Sequence, residues 1–184
     1  TRRSSDLAMG SPLLKAGMIT DASFQDLDKD GYPELVITTD WMPVQVYGNN
    51  KGKFENASTA WGTAELHGCW NVIKPADLDG DGDVDFVVGN MGTNWQWSIT
   101  SPAGLSMYAY DFDNLNRIVP VISVTEAGKE YPFSSRDELL DQIPSLKKKY
   151  PSYVTYSKAT LAEILPAEKL EKAQKLTARE FRSG

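Results

Sequence analysis

Two stretches of the chain, "DLDKDGYPE" at residues 26–34 and "DLDGDGDVD" at residues 77–85, share the pattern D-x-D-x-D-G-x-x-[DE]. Each crowds carboxylates at loop positions 1, 3, 5 and 9: Asp26, Asp28, Asp30 and Glu34, then Asp77, Asp79, Asp81 and Asp85. So many like charges repel unless a cation sits among them. Alternate positions of a tight loop can point their oxygens at one centre. Gly31 and Gly82, at position 6, permit the left-handed turn that a side chain resists. Tyr32 and Asp83, at position 7, offer backbone carbonyls. The set amounts to about six or seven hard oxygens, which suits Ca²⁺ better than the smaller, octahedral Mg²⁺. No histidine or cysteine competes within either loop, which disfavours zinc and copper. The plain alternative is a solvated acidic turn. Recurrence of both spacing and glycine placement favours the ion.

The flanks decide the secondary structure. An EF-hand needs a bidentate Glu at position 12 and helices on both sides. Position 12 is Ile37 in the first loop and Val88 in the second, and "ELVITT" and "DFVVGN" are short and β-branched. The loops are expected to join two strands of a hairpin. A degenerate third copy, "DFDNLNRIV", keeps Asp111 and Asp113 but has Leu115 and Val119 at positions 5 and 9. It is expected to hold its turn without a metal.

Three loops beginning at Asp26, Asp77 and Asp111 suggest propeller-type blades. Strands are expected at 21–26, 34–39, 44–48 and 53–57, then 70–77 and 84–90, then 105–111, 118–125 and 129–134. From Ser135 the pattern changes. "SRDE" matches a capping box, and Pro144 interrupts the helix it opens. "SLKKKY" reads as one further turn, "TLAEIL" as a second capped helix, and "AEKLEKAQKL" as a third, with Pro166 ahead of it. The expected division is blades over 1–134, helices over 135–175 and a return strand within 176–184. The fold class is therefore mainly β: a partial β-propeller of antiparallel four-stranded blades with calcium hairpin loops, plus a C-terminal helical segment.

The loops resemble the FG-GAP/VCBS repeats of integrin-α-like β-propellers. "TDWMPVQVYGN", "GNMGTNW", "YAYDFDN" and "GKEYPFSSRDELLDQIPSLKKKYPSYVTYSKATLAEIL" look like large exported FG-GAP/VCBS proteins common in Bacteroidetes-type bacteria. The resemblance runs from about Leu14 to Leu165, with 128–165 as an insertion between blades. It implies blades that carry calcium in the hairpin loop, outside the cytoplasm. It also implies ligands at Asp26, Asp28, Asp30 and Glu34, and at Asp77, Asp79, Asp81 and Asp85. Glu34 stands where the family usually has Asp. Two or three blades cannot close a ring that needs at least four. The chain is expected to be part of a longer protein, or to close with another copy.

Composition narrows the function. Residues 1–125 carry 16 acids against 8 bases, and the net charge is −6, so no dominant basic face for nucleic acid is expected. No apolar run is long enough to span a membrane. "TRRSSDLAMG" lacks the apolar core of an export signal, which is expected to have been removed or to lie outside this sequence. Cys69 is alone, so no intrachain disulfide forms. No nucleophile elbow, P-loop or zinc-helix motif is present. His67, in a Gly-flanked loop, lacks an evident acid–base partner, and Cys69 reads as a small buried hydrophobe. Among the tryptophans, Trp41, Trp61 and Trp70 read as packing, whereas Trp95 and Trp97 alternate in a polar setting and are the candidates for ligand contact. The basic run "LKKKY" reads as a solvated helix face. The expected function is a non-enzymatic, calcium-stabilised module at the cell surface, in the periplasm or outside the cell, binding a protein or glycan. The alternative is the scaffold of an enzyme acting on extracellular polysaccharide, whose paired carboxylates no sequence pattern reveals.

Overall fold

The computed structural model describes residues 11–94 and 104–183. The chain divides into two compact units, Thr1–Ser98 with Ala178–Gly184, and Ile99–Thr177. It is mainly β, with antiparallel sheets and a few short helices.

In the first unit, β1 (Met18–Gln25), β2 (Glu34–Pro43), β3 (Gln45–Asn50) and β4 (Lys53–Asn56) form an antiparallel meander. The first acidic loop closes its first hairpin, with Gln25 opposite Glu34. Strand β2 is buried on both faces from Glu34 to Thr39, and its alternation splits the packing. Leu35 and Ile37 join Ala16 and Tyr47 on one side. Val36 joins Val44, Val46, Trp70 and Ile73 on the other. The second set is completed by β6 (Val72–Ala76) and β7 (Asp85–Gly89), a hairpin closed by the second acidic loop, with Ala76 opposite Asp85. Phe86 and Val88 of β7 pack against this cluster.

Polar ties reinforce that packing. A register shift between Ile19 and Asp21 marks a bulge in β1, and Thr20 Oγ1 there donates to the Trp70 carbonyl at 2.6 Å. Asp21 Oδ2 accepts from the Ile73 backbone N–H at 3.1 Å. Sequence reading missed one strand, β5 (His67–Cys69), which pairs with the far end of β2. His67 therefore lies in a sheet, not in a loop. Its carbonyl accepts from Arg179 and Glu180 N–H groups, so the chain's last residues hold it as an extended backbone partner. Cys69 is 2% exposed, and burial together with nearby Asp40 pushes its thiol up to about 12. It is buried, as a small hydrophobe would be.

In the second unit, β8 (Leu105–Tyr110), β9 (Val119–Glu126) and β10 (Lys129–Pro132) form a second meander, and β11 (Gln174–Ala178) adds beside β8. Helices α1 (Arg136–Gln142), α2 (Tyr153–Tyr156), α3 (Leu161–Ile164) and α4 (Ala167–Lys172) pack on this sheet. Val119 and Val121 meet Leu139, Leu140, Ile143, Leu161, Ile164 and Leu165 in one core. Both expected capping boxes form: the Ser135 N–H donates to Glu138 at 2.9 Å, and the Thr160 N–H to Glu163 at 2.7 Å. "PSLKK" is a single 3₁₀ turn. Helix α4 stops at Lys172, not Leu176. Ala173 leaves helical geometry, and the residues after it take a place in the sheet beside β8. Sheet pairing overrides the local helical preference.

The Asp21 contact gives a pH-dependent test. Its hydrogen bonds from Ile73 and then Ala22 hold its carboxyl below the ordinary 3.8. A folded value below the unfolded one means that the contribution is complete above the unfolded value and is lost as pH falls through the folded one. Asp21→Ala should lower the melting temperature near neutral pH. The deficit should shrink as the buffer is taken below about pH 4, where the parent carboxylate also protonates. A deficit constant across that range would show that the side chain acts through packing instead.

Candidate metal centre

The two acidic loops repeat one another at the level of single hydrogen bonds. At position 1, Asp26 Oδ2 accepts from Gly31 N–H at 3.0 Å, and Asp77 Oδ2 accepts from Gly82 N–H at 3.1 Å. At position 3, Asp28 and Asp79 accept from the N–H groups of Asp30 and Asp81 at 3.1 and 3.2 Å. At position 5, Asp30 and Asp81 accept from Tyr32 and Asp83 at 2.7 and 2.8 Å. At position 9, Glu34 and Asp85 accept from Leu27 and Leu78 at 2.8 and 3.0 Å. Backbone donors thus fold each loop inward around its own carboxylates.

The glycines serve backbone conformation alone. Gly31 and Gly82 take φ values of 88° and 87°, and a Cβ added at either would meet nothing within 4 Å. Position 4 is left-handed as well, with Lys29 at φ 62° and Gly80 at φ 80°.

In each loop three carboxylates converge. Among the described residues, oxygens of Asp26, Asp28 and Glu34 lie within 4.8 Å of one another, as do those of Asp77, Asp79 and Asp85. The remaining expected carboxylates, Asp30 and Asp81, stand outside these triads and brace the next peptide. Tyr32 is exposed, and the Asp83 side chain pairs with Lys29 instead of turning inward. That pair ties the tips of the two loops together, a role for Lys29 that the spacing did not announce.

In the first loop one carboxylate oxygen is left without a donor. Asp26 Oδ1 is buried and accepts no hydrogen bond, while its sister oxygen takes the Gly31 N–H. A buried carboxylate oxygen left bare is costly. A hard cation bound among Asp26, Asp28 and Glu34 would satisfy it. Residues and oxygen chemistry fit a divalent ion of the calcium type.

The third loop keeps the backbone and changes the counter-charge. Asn114 and Asn116 take φ 61° and 57° at positions 4 and 6, and Asp111 Oδ2 accepts from Asn116 N–H at 2.9 Å. Asn is the side chain best able to follow glycine into this region. Val119, at position 9, is buried in the core in place of an acid. The Arg117 guanidinium pairs with Asp113 at 3.1 Å. The Lys169 ammonium reaches the Phe112 carbonyl at 2.9 Å and Asn114 Oδ1 at 2.8 Å. Tethered cations therefore stand beside this loop, and no local sequence signal links Lys169 to it. Trp95 and Trp97, the expected ligand contacts, lie outside the described residues.

An antiparallel meander and a two-stranded hairpin, each turned by an acidic D-x-D-x-D-G tip, define a mainly β protein with two carboxylate clusters that could hold a metal ion. In agreement, residues 26–88 match the family model described as FG-GAP-like repeat, which spans both acidic loops and supports the FG-GAP repeat family. No curated protein and no solved structure matches the chain. Among the described residues, no helix is long and apolar enough to cross a membrane.

Position 6 supplies a test. Gly31→Ala should cost about 1–2 kcal/mol, the penalty for forcing an L side chain into the left-handed region with no clash to add. Gly31→Asn should cost less, because the third loop already runs with Asn there. Equal losses in urea denaturation would refute the conformational explanation.

Proposed function

We propose that this chain is a calcium-binding module of β-propeller blades from an exported or cell-surface bacterial protein, acting by binding a protein or glycan and not by catalysis. The observation that carries the reading is the bare, buried Asp26 Oδ1 beside two further carboxylates in a loop of FG-GAP type. Calcium supplies the missing partner in the first loop and takes the same place among Asp77, Asp79 and Asp85 in the second. It does so outside the cytoplasm, where the ion is abundant. Further blades come from the parent chain or from another copy, since the blades here are too few to close a ring.

The mechanism is structural. Each ion cross-links the two ends of a hairpin loop, position 1 to position 9, and so fixes the register of the strands that follow. In a chain with one cysteine, such cross-links do the work that disulfides do in other exported domains. Binding energy at the loops is folding energy, because the unfolded chain offers no preformed site.

Calorimetric melts with calcium and with a chelator test this directly. With free calcium about 100-fold above its dissociation constant, each site should add about 2.7 kcal/mol, visible as a melting transition that falls in chelator and recovers on adding calcium. Asp26→Asn should weaken that response, and Asp83→Asn should leave it nearly intact. Superimposable melts with and without chelator would remove the reading.

A further inference from the structure

We propose that the shallow pocket beside the first acidic loop is a binding site for a neutral hexopyranose unit of a glycan, with Trp61 as its stacking platform. The inference rests on the reading of the chain as a binding module, and it names where and what the module binds.

The pocket has a volume of about 350 Å³, at the size of one or two sugar rings, and it opens between the β3–β4 hairpin and the loop carrying Asp28. Register explains its polarity. Gly48 pairs with Glu55 and Asn50 with Lys53, so these four share one face of the hairpin. Further along β3 the same face carries Val46 into the apolar cluster with Trp70 and Ile73. The face thus changes from apolar beneath β6–β7 to polar at its outer edge. Trp61 stands at the change, 45% exposed, and lines both the polar pocket and an apolar cavity formed with Val36, Val46, Trp70 and Ile73.

Two observations bear on what this pocket, rimmed by the exposed side chains of Asn50, Lys53 and Glu55, can hold. The first is unspent bonding capacity. Asn49 uses its amide on the Pro33 carbonyl and the Gly52 N–H, at 2.7 and 2.8 Å. Beside it, the side chains of Asn50, Lys53 and Glu55 make no hydrogen bond or ion pair with any described residue, although Lys53 and Glu55 share a face. An amide, an ammonium and a carboxylate together both donate and accept, as sugar hydroxyls require.

The second is Gly48. It lies in an extended strand, where glycine is unfavourable. Its φ is not positive, so the turn geometry that excuses other glycines is absent. A Cβ there would make only ordinary contacts, 3.8 Å to Ala57 Cβ and 3.9 Å to the Glu55 carbonyl. Neither backbone nor packing demands glycine. Gly48 lines the pocket, so a side chain there would take up part of its space.

Charge selects among sugars. Asp28, Asp30, Glu34 and Glu55 surround the pocket with Lys53 as the one cation among its lining residues. A divalent ion in the loop and Lys53 together offset most but not all of that charge. Uronic, sialic and sulfated sugars are repelled. Neutral rings, with an apolar C–H face for the indole and hydroxyls for the rim, are accepted.

Isothermal titration of the chain in calcium tests the proposal, with maltose, cellobiose, lactose, mannobiose, glucuronic acid and tetralysine as probes. At least one neutral disaccharide should bind. Gly48→Val should reduce that affinity about tenfold or more while leaving the melting temperature equal or higher, because it takes up part of the pocket and adds strand propensity. Trp61→Phe should retain part of the affinity, and Glu55→Gln should weaken it without change in the melt. Binding unaltered by Gly48→Val, preference for tetralysine or glucuronic acid, or no neutral sugar bound would each overturn the proposal. Melts of the same samples with and without chelator keep the two readings apart. Calcium stabilisation without sugar binding sinks only the glycan site, and sugar binding with a chelator-insensitive melt sinks only the calcium reading.

Discussion

The structure of the first unit depends on how crowded carboxylates are satisfied at the tip of a hairpin. Backbone N–H groups take most of the burden. In both loops the carboxylates at positions 1, 3, 5 and 9 accept from residues 6, 5, 7 and 2, which wraps the chain into a cage of its own peptides. That wrapping requires left-handed backbone at positions 4 and 6, and it leaves oxygens turned toward one another. Asp26 Oδ1 is what this wrapping leaves over, a buried oxygen without a donor. Strand register follows from it. Glu34 sits at once in the cage and at the start of β2, so the loop determines which of Leu35, Val36 and Ile37 face which cluster.

The third loop shows that the cage and the cation are separable. Its backbone repeats the left-handed positions with asparagines, and its first aspartate keeps the position-6 donor. The position-9 acid has become Val119, which is spent on the hydrophobic core. Arg117 and Lys169 supply positive charge from side chains that are covalently held. A tethered cation carries no dependence on ion concentration, whereas an exchangeable one makes folding conditional on its surroundings. The same turn thus occurs in one chain with three converging carboxylates in two copies and with tethered cations beside it in the third.

How far the sequence disclosed this follows from where the information lay. Hairpin loops, flanking strands and helix caps were legible because each depends on neighbours within about ten residues: Gly31 for its turn, Glu138 for Ser135, β-branched runs for β2 and β9. Distant pairing was not. β5 is a three-residue strand held extended by the far end of β2 and by Arg179 and Glu180, and "HGC" has no strand signature. β11 begins inside a segment with helical composition because it takes a place beside β8. Within the site, spacing predicted a ring of carboxylates but could not say that Asp30 and Asp81 brace peptides while the other three converge. Lys29 carried no local mark of its ion pair, nor Lys169 of its hydrogen bonds to the third loop. The tryptophan most exposed among those described, Trp61, read as packing because exposure is a property of the fold.

The glycines of the first unit sort by physical role, and that sorting links the metal loops to the surface beside them. Gly31 and Gly82 have open space around a would-be Cβ and a φ that forbids one. Gly48 has no positive φ and has room for a Cβ, so neither backbone conformation nor packing requires glycine there. The two kinds sit at opposite ends of one structural sequence: the loop sets the register of β2, β2 sets β3, and β3 presents Gly48 and Asn50 on the face that Trp61 overlooks. Glu34 spans both ends, since one oxygen accepts from Leu27 within the loop and the other from Asn49 on β3, one residue beyond Gly48. An ion gripped by Glu34 would therefore stiffen the wall of the pocket, coupling metal occupancy to ligand geometry through a single carboxylate.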